Sequence, residues 1–424
     1  MLDEQALDSQ GFEAPAPELD PAQALPPEQR SGSNFRVASI RYGPGFLYVY
    51  SVETEAGVLQ ARGLGTLRKR IHEIETLESF EAAGVESHDV YALALANAAE
   101  APAEGGMQLL FNPVRTTTNI PKGIWSMAQN YYEMTEAGRT YLEDDYFHEL
   151  IGFGRAKRQW AYRLGVDPYS SNLQLQTTLN RLAWLSLAGG MTVRLPLIAV
   201  PGGASIALTV TNTSDDMKRE LRDETPENIR IRSRKMLVED FGLDISLADE
   251  FVYHSWYSPS QLITIVDALK AMKHAEKKER FISLAVLADT PSEAHSFTRL
   301  AVILLAWNKD SGAIKSFLTI EGLALAMNEN NDVALPLNID RGYWTRGAAG
   351  LIEAIDAELS RGELYRRKFL LISGNLSSLA TRNAEARGWI IVENIENSWL
   401  KDFDDQEFAP GKGDENRILP EIGG

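Results

Sequence analysis

The chain has 424 residues, of which 44% are hydrophobic, and a formal net charge of −17. This length favours two or three domains with cores of their own, and the negative charge opposes contact with phosphate backbones, so no nucleic-acid partner is predicted. The chain has no cysteine, which excludes disulfides, thiolate metal sites and cysteine nucleophiles.

The first 34 residues are acidic and rich in proline and alanine, as at Pro26 and Pro27. Because such a segment offers little apolar surface to bury, residues 1–34 are predicted to be disordered. They do not contain the apolar run of a signal peptide. Acidic, proline-rich starts are common just after a cleaved leader, and one hypothesis is that Met1 stands where a leader was removed.

Residues 35–212 are predicted to form a β-hairpin followed by helices. The stretch 46–53 is rich in Tyr, Val and Phe, and 58–62 returns after the turn at Ala56-Gly57, which is the pattern of a hairpin. After Thr66, apolar residues recur every three or four positions. That spacing predicts a helix with one apolar face.

Two more helices are predicted, over 146–164 and from Asn172 onward. The sequence Asp-Pro-Tyr-Ser at 167–170 suits a tight turn between them. The pair would form a helical hairpin, with Trp160 and Trp184 as core anchors.

The segment 195–210 is nearly all apolar but is interrupted by prolines and glycines. It is too short for a transmembrane helix, which needs roughly 20 apolar residues. A buried loop and strand is the favoured interpretation, and contact with a membrane surface, shared with 111–125, is the alternative. The membrane-contact residues in that alternative are Phe111, Ile124, Trp125, Leu197 and Ile198.

The polar segment 213–228 is predicted to be a linker, and 229–400 a second domain. Ser258-Pro259-Ser260-Gln261 and Thr290-Pro291-Ser292-Glu293 both have the order of residues that starts a helix with a capping box. After Asp310 the hydrophobic pattern changes to alternation, which predicts strands.

Three strands are predicted at 316–320, 323–327 and 333–337, followed by a helix over 343–359. A strand, helix and strand between 369 and 393 would then form a βαβ unit. The predicted fold class is α+β, mainly helical, with an N-terminal β-hairpin, a helical middle and C-terminal helices packed on a small mixed sheet. The tail, 401–424, is predicted to be disordered.

No catalytic constellation, metal site or cofactor is predicted. None of the six histidines lies within four residues of another, which excludes a zinc pair of the His-Glu-x-x-His type. His254, Trp256 and Tyr257 form an aromatic group that could line a binding pocket. Aromatic residues just before a capped helix more often act as a hydrophobic staple, and this is the alternative.

Two further groups have a binding alternative. Arg155 and Arg158 belong to a basic cluster that could receive an acidic partner, although a structural role, balancing nearby acids, is favoured. The amides around Ser373 to Ser377, between a strand and a helix, could hold an anion. A plain strand–helix turn with an N-cap is the favoured interpretation there.

The run RAKRQWAYRLGVDPYSSN over 155–172, with Ala183-Trp184 and Gly189-Gly190 after it, resembles a family of uncharacterised bacterial proteins. Those proteins carry a KRxLAxxLGVDPYSxN motif, a helix with Ala-Trp and a Gly-Gly stop. Further similar stretches are Trp256 to Pro259, Leu335 to Leu337, Trp344-Thr345, Ser373 to Ser377 and Gly388-Trp389.

The similar stretches cover most of the chain after about residue 45. The resemblance implies no activity. It favours the cell envelope, because family members often begin with export signals.

The first hypothesis for function is therefore a non-catalytic protein of the periplasm or cell envelope that binds another protein, or itself, as a scaffold. A peripheral membrane protein is the second hypothesis. An enzyme of unrecognised type, with His254 paired to nearby carboxylates, is the third. A cytoplasmic location is the alternative to the envelope.

Overall fold

The computed structural model describes residues 7–55, 57–82, 152–187, 215–362 and 365–395. Its strands are β1 (Glu18–Leu19), β2 (Phe35–Tyr42), β3 (Tyr48–Thr54), β4 (Gly57–Arg62), β5 (Ile314–Ile320), β6 (Leu323–Asn328), β7 (Val333–Leu337), β8 (Arg341–Gly342), β9 (Lys368–Ile372), β10 (Asn375–Leu376) and β11 (Trp389–Val392).

Its α-helices are α1 (Pro21–Ala24), α2 (Pro27–Arg30), α3 (Leu64–Ala82), α4 (Phe153–Leu164), α5 (Leu173–Leu187), α6 (Asp215–Asp223), α7 (Pro226–Lys235), α8 (Ile245–Val252), α9 (Pro259–Ala271), α10 (Lys278–Ala285), α11 (Pro291–Asp310), α12 (Arg346–Arg361) and α13 (Ser378–Ala386). These elements confirm the predicted α+β class, including the N-terminal hairpin, β3 and β4.

The hairpin is part of a four-stranded antiparallel sheet in the order β1-β2-β3-β4. Strand β2 was missed, although its residues alternate between buried and exposed along most of its length. Helix α3 packs on this sheet through Leu67, Ile71 and Ile74, which lie on one face because they recur at helical spacing.

The prediction of disorder over 1–34 is corrected for residues 7–34. Strand β1 pairs with β2, and Glu13, only 9% exposed, donates its backbone N–H to the carbonyl of Trp344 at 3.0 Å. The segment is held because its backbone pairs with distant elements. Composition alone does not reveal such long-range pairing.

Helix α4 and helix α5 form the predicted helical hairpin. Gly165, at φ 67°, ends α4 in the left-handed conformation that favours glycine. Trp160 is buried as predicted, and its indole N–H donates to Ser186 Oγ at 2.8 Å. The side chain of Trp184 lies outside the described residues.

The described part of the predicted linker, 215–228, contains α6 and the beginning of α7. Met217 and Leu221 of α6 and Ile229 of α7 are buried together with Ile263. The linker prediction is therefore corrected, because two apolar residues four positions apart are enough to dock a short, otherwise charged helix.

The C-terminal sheet has the order β11-β9-β7-β6-β5. The predicted meander β5-β6-β7 is antiparallel, whereas β7, β9 and β11 run parallel, so β9, α13 and β11 form the predicted βαβ unit. Alternate strand residues pack on α9–α11 on one face and on α12 and α13 on the other. The unit thus has three layers.

Candidate functional site

A buried ionic cluster joins α3 to the loop between α4 and α5. Glu73, 1% exposed, accepts hydrogen bonds from Arg70 Nη1 at 2.7 Å and from Asn172 Nδ2 at 3.0 Å. Ser170 Oγ donates to its other oxygen at 2.5 Å. Although burial acts against the charge, the two neighbouring cations, Arg70 and Lys69, and these hydrogen bonds hold the pKa of Glu73 below its ordinary value.

Asp167 extends this cluster to the C-terminal helices. One of its oxygens accepts from Lys69 Nζ at 2.7 Å and from Ser260 Oγ, in the first turn of α9, at 3.0 Å. The other accepts from the Tyr169 amide at 2.9 Å. A single carboxylate therefore links three elements that are remote in sequence.

His295, on α11, lies beside the cations of the same cluster. Burial, reinforced by the positive charges of Arg299, Lys69 and Arg70, lowers the pKa of His295 to about 3. The imidazole is therefore neutral at physiological pH. The predicted site residues did not include it, because nothing in the sequence near His295 points to α3.

Both carboxylates of this cluster are fully engaged by donors from the chain itself. A general base or a metal ligand needs an oxygen that faces substrate or ion. In Glu73 and Asp167 each oxygen already accepts at least one hydrogen bond. The arrangement is that of a clamp which fixes α3, the Asp-Pro-Tyr-Ser-Ser-Asn loop and α9 together.

A second set of contacts joins the N-terminal sheet to the C-terminal sheet. Asp340, just after β7, accepts from the backbone N–H groups of Tyr48 and Leu64 at 2.8 and 2.7 Å, and from the Tyr50 hydroxyl at 3.2 Å. Tyr48 also shares a 2.7 Å hydrogen bond with the hydroxyl of Tyr343. We call these contacts the seam.

The turn from Ser373 to Ser377 holds carboxylates of the chain itself. Glu13 accepts from Ser377 Oγ at 2.5 Å and from the Trp344 amide at 2.6 Å. Glu393 accepts from the Leu376 amide at 2.5 Å. Ser377 is the N-cap of α13, as the favoured interpretation has it.

The predicted aromatic group is divided between core and surface. Tyr257 is 1% exposed and its hydroxyl donates to the carbonyl of Ala285 at 2.7 Å, so it is a core residue. Trp256 packs against the same core. His254 is half-buried, and burial lowers its pKa. This placement matches the staple alternative more closely than a pocket.

The two predicted arginines differ in environment. Arg155 is exposed, whereas Arg158 is buried. Arg222 chiefly, and Arg155 and Arg158 in addition, lower the pKa of Asp223 on α6. The cluster therefore faces an acid of its own chain, which favours the balancing role.

The predicted membrane-contact residues Phe111, Ile124, Trp125, Leu197 and Ile198 lie outside the described residues. Across the described ranges, helices with the length and apolar content of a membrane span do not occur. Within those same ranges, no three histidine or acidic side chains converge as a metal site would require.

The outer face of α7 and α8 carries exposed apolar side chains. Ile231, Ile245 and Tyr253 are each 54% exposed. Tyr253 donates to Glu227 of α7 at 3.0 Å, and Arg234 of α7 pairs with Asp249 of α8. Positions 227, 231 and 234 share one face of α7, positions 245 and 249 share one face of α8, and Tyr253 is the C-cap residue directly after α8. We call this the α7–α8 face.

A cavity of about 370 Å³ lies between the C-terminal sheet and helices α12 and α13. Phe46, from the loop before β3, is also one of the lining residues. The walls are almost wholly apolar. They comprise side chains of the sheet and the helices, including Leu335, Leu337, Leu370, Ile352, Ala380 and Ala384.

The fold and these sites define an α+β protein whose N-terminal and C-terminal sheets are joined by the contacts of Asp340 and by the Tyr48–Tyr343 hydrogen bond. No family model, curated protein or solved structure matches the chain. The resemblance to the family with the KRxLAxxLGVDPYSxN motif therefore stays a prediction.

Proposed function

We propose that the protein is a non-catalytic binding module of the cell envelope, which docks another protein on the α7–α8 face as part of an assembly. The observation that carries this proposal is the group of three half-exposed apolar side chains, Ile231, Ile245 and Tyr253, on that face. Clustered exposed apolar side chains rimmed by polar groups are typical of protein interaction sites.

The geometry of the face supports a docking role. The Tyr253–Glu227 hydrogen bond and the Arg234–Asp249 ion pair hold α7 and α8 in fixed register on either side of Ile231. A face that is fixed before binding loses less conformational entropy when a partner docks. The buried carboxylates support the non-catalytic role, since their oxygens are engaged within the fold.

The test is crosslinking and co-purification of the tagged full-length protein from fractionated native cells. Ile231→Glu places a charge in the centre of the face, and Val58→Glu, on β4, is the matched control because Val58 is 58% exposed. We expect wild type and Val58→Glu to recover the same partner from the envelope fraction, and Ile231→Glu to recover at least ~10-fold less.

Equal recovery by both variants, or no stable partner at all, would contradict the proposal. A second copy of the chain is one outcome of the same experiment, and sedimentation of the purified protein identifies it. Recovery only from the cytoplasmic fraction would contradict the location. Peripheral membrane contact through 111–125 and 195–210 remains the second candidate, and liposome flotation at low salt tests it.

A further inference from the structure

We propose that the cavity between the C-terminal sheet and helices α12 and α13 binds the hydrocarbon chain of a fatty acid. This inference is independent of the α7–α8 face. It rests on the volume of the cavity, on the residues that create it, on the state of its hydroxyl groups and on the charges beside it.

The volume suits one chain. A cavity of ~150 Å³ lined by aliphatic and aromatic side chains binds benzene, which has six carbon atoms. By proportion, the volume of about 370 Å³ accommodates on the order of 10 to 15 carbon atoms. That range corresponds to a single acyl chain of medium length.

Small residues on the two covering helices create the space. Gly347 and Ala348 of α12 and Ala380 and Ala384 of α13 all line the cavity. The backbone does not require glycine at 347, since a Cβ there would meet only Thr345 Oγ1, at 3.9 Å. Larger side chains at these positions would fill the cavity, as side chains fill the close-packed interiors of most proteins.

The hydroxyl groups in the walls already have partners. Thr345 Oγ1 caps α12 by accepting from the Ala348 amide at 3.1 Å, and the Tyr343 hydroxyl is bonded to that of Tyr48 at 2.7 Å. Among the described residues that line the cavity, none has a charged side chain. A polar group inside the cavity would lose its hydrogen bonds to water without replacement, so the bound part must be apolar.

Two cationic side chains stand beside lining residues and favour an anionic head group. The Arg387 guanidinium lies 4.8 Å from the ring of Trp344, which lines the cavity. Arg346 precedes Gly347, and its side chain is 68% exposed; its guanidinium already faces the Asp8 carboxylate at 3.8 Å, which is longer than a hydrogen bond. A carboxylate in solvent at the edge of the cavity would gain charge-assisted hydrogen bonds from such groups.

The first experiment measures binding of dodecanoate to the full-length protein by calorimetry, below the micelle concentration. We expect saturation at one chain per protein. Ala384→Leu, which fills the cavity, should weaken binding by at least ~10-fold, whereas Ala386→Leu, an exposed position of the same helix, should leave it unchanged.

Ala348→Leu is a second filling variant, with exposed Ala357→Leu as its control, and thermal unfolding checks that each variant is folded.

A bromine-labelled dodecanoate should quench tryptophan fluorescence. Trp344→Phe should reduce that quenching, with affinity altered by less than ~3-fold. Dodecanol has the same hydrocarbon chain without the carboxylate, so its affinity shows how much the head group contributes. Phosphatidylglycerol vesicles test whether the protein binds a lipid surface instead of a single chain.

Weaker binding of dodecanol than of dodecanoate would support the role of Arg346 and Arg387. Absence of saturable dodecanoate binding would overturn the proposal. So would unchanged affinity in both filling variants, or binding to vesicles alone. None of these measurements involves a protein partner, so they leave the proposed docking function to its own test.

Discussion

Asp340 accepts a hydrogen bond from the backbone N–H of Leu64 at 2.7 Å, although 276 residues separate them. Leu64 begins α3, and the first backbone N–H groups of a helix have no partner within the helix itself. A residue of the C-terminal unit therefore satisfies the start of a helix in the N-terminal unit, and the same carboxylate also accepts from Tyr48 in β3.

Asp340→Ala should lower the free energy of unfolding by about 2–4 kcal/mol, because it leaves the amides of Tyr48 and Leu64 without their acceptor. Asp340→Asn should cost less, since one acceptor oxygen remains. Urea unfolding of the full chain measures both changes. Glu353→Ala, at an exposed position of α12, is the control, and equal losses for it and Asp340→Ala would refute a structural role for the seam.

Glu73→Ala should lower the free energy of unfolding by about 3–5 kcal/mol, since it leaves the buried Arg70 guanidinium without its carboxylate. Glu53→Ala breaks the Arg36–Glu53 pair, whose side chains are 68% and 44% exposed, and should cost at most about 1 kcal/mol. Chemical denaturation compares the two. A Glu73→Ala protein as stable as Glu53→Ala would mean that the clamp does not hold α3 to the loop.

Stability should fall below pH 6.5 because of His295. Its pKa is about 3 in the folded protein and 6.5 in the unfolded chain, so between these values the unfolded state binds a proton that the folded state does not. The free energy of unfolding should therefore decrease as pH falls, by at most about 1.4 kcal/mol per unit from this group.

Urea unfolding of wild type and His295→Gln between pH 4.5 and 7.5 tests this dependence. We expect the variant to lose part of the slope below pH 6.5, while the two proteins run parallel above it. Parallel curves over the whole range would show that His295 takes up its proton equally in both states.

Two glycine replacements should change stability in opposite directions. A Cβ on Gly374 would stand 2.1 Å from the carbonyl oxygen of Asp340, whereas one on Gly350, in α12, would meet nothing within 4 Å. Gly374→Ala should lower the melting temperature by several degrees, and Gly350→Ala should raise it, stabilising by about 0.5–1 kcal/mol. A loss in both variants would contradict the close approach at Gly374.

Elements whose sequence pattern involves only residues close together in the chain could be predicted from the sequence. The capping box at Ser258 forms as predicted, with Gln261 as its partner, because its groups lie within one turn. The alternation after Asp310 gave three strands, β5 to β7, for the same reason. Strand β1 has two residues, too few for any periodicity, and it exists only because β2 pairs with it.

The clamp and the seam could not be predicted, since their contacts join positions that the sequence separates widely. Asn172 and Glu73, for example, lie 99 positions apart. The sequence predicts the Asp-Pro-Tyr-Ser turn, but it does not show that Ser170 and Asp167 of this turn are also partners of α3. In the structure, charged residues of α3 such as Arg70 are buried and therefore need partners, but the sequence does not show that burial.

The contacts of Glu13 determine when, during synthesis, the N-terminal segment can reach its folded state. Its carboxylate accepts from Ser377 and its backbone pairs with Trp344, so on a ribosome Glu13 emerges more than 300 residues before these partners. Asp340 likewise arrives long after the helix that it caps. The N-terminal sheet thus completes its contacts only after residues 340–377 have left the ribosome, and nascent chains released before that point would expose these groups to proteases and chaperones.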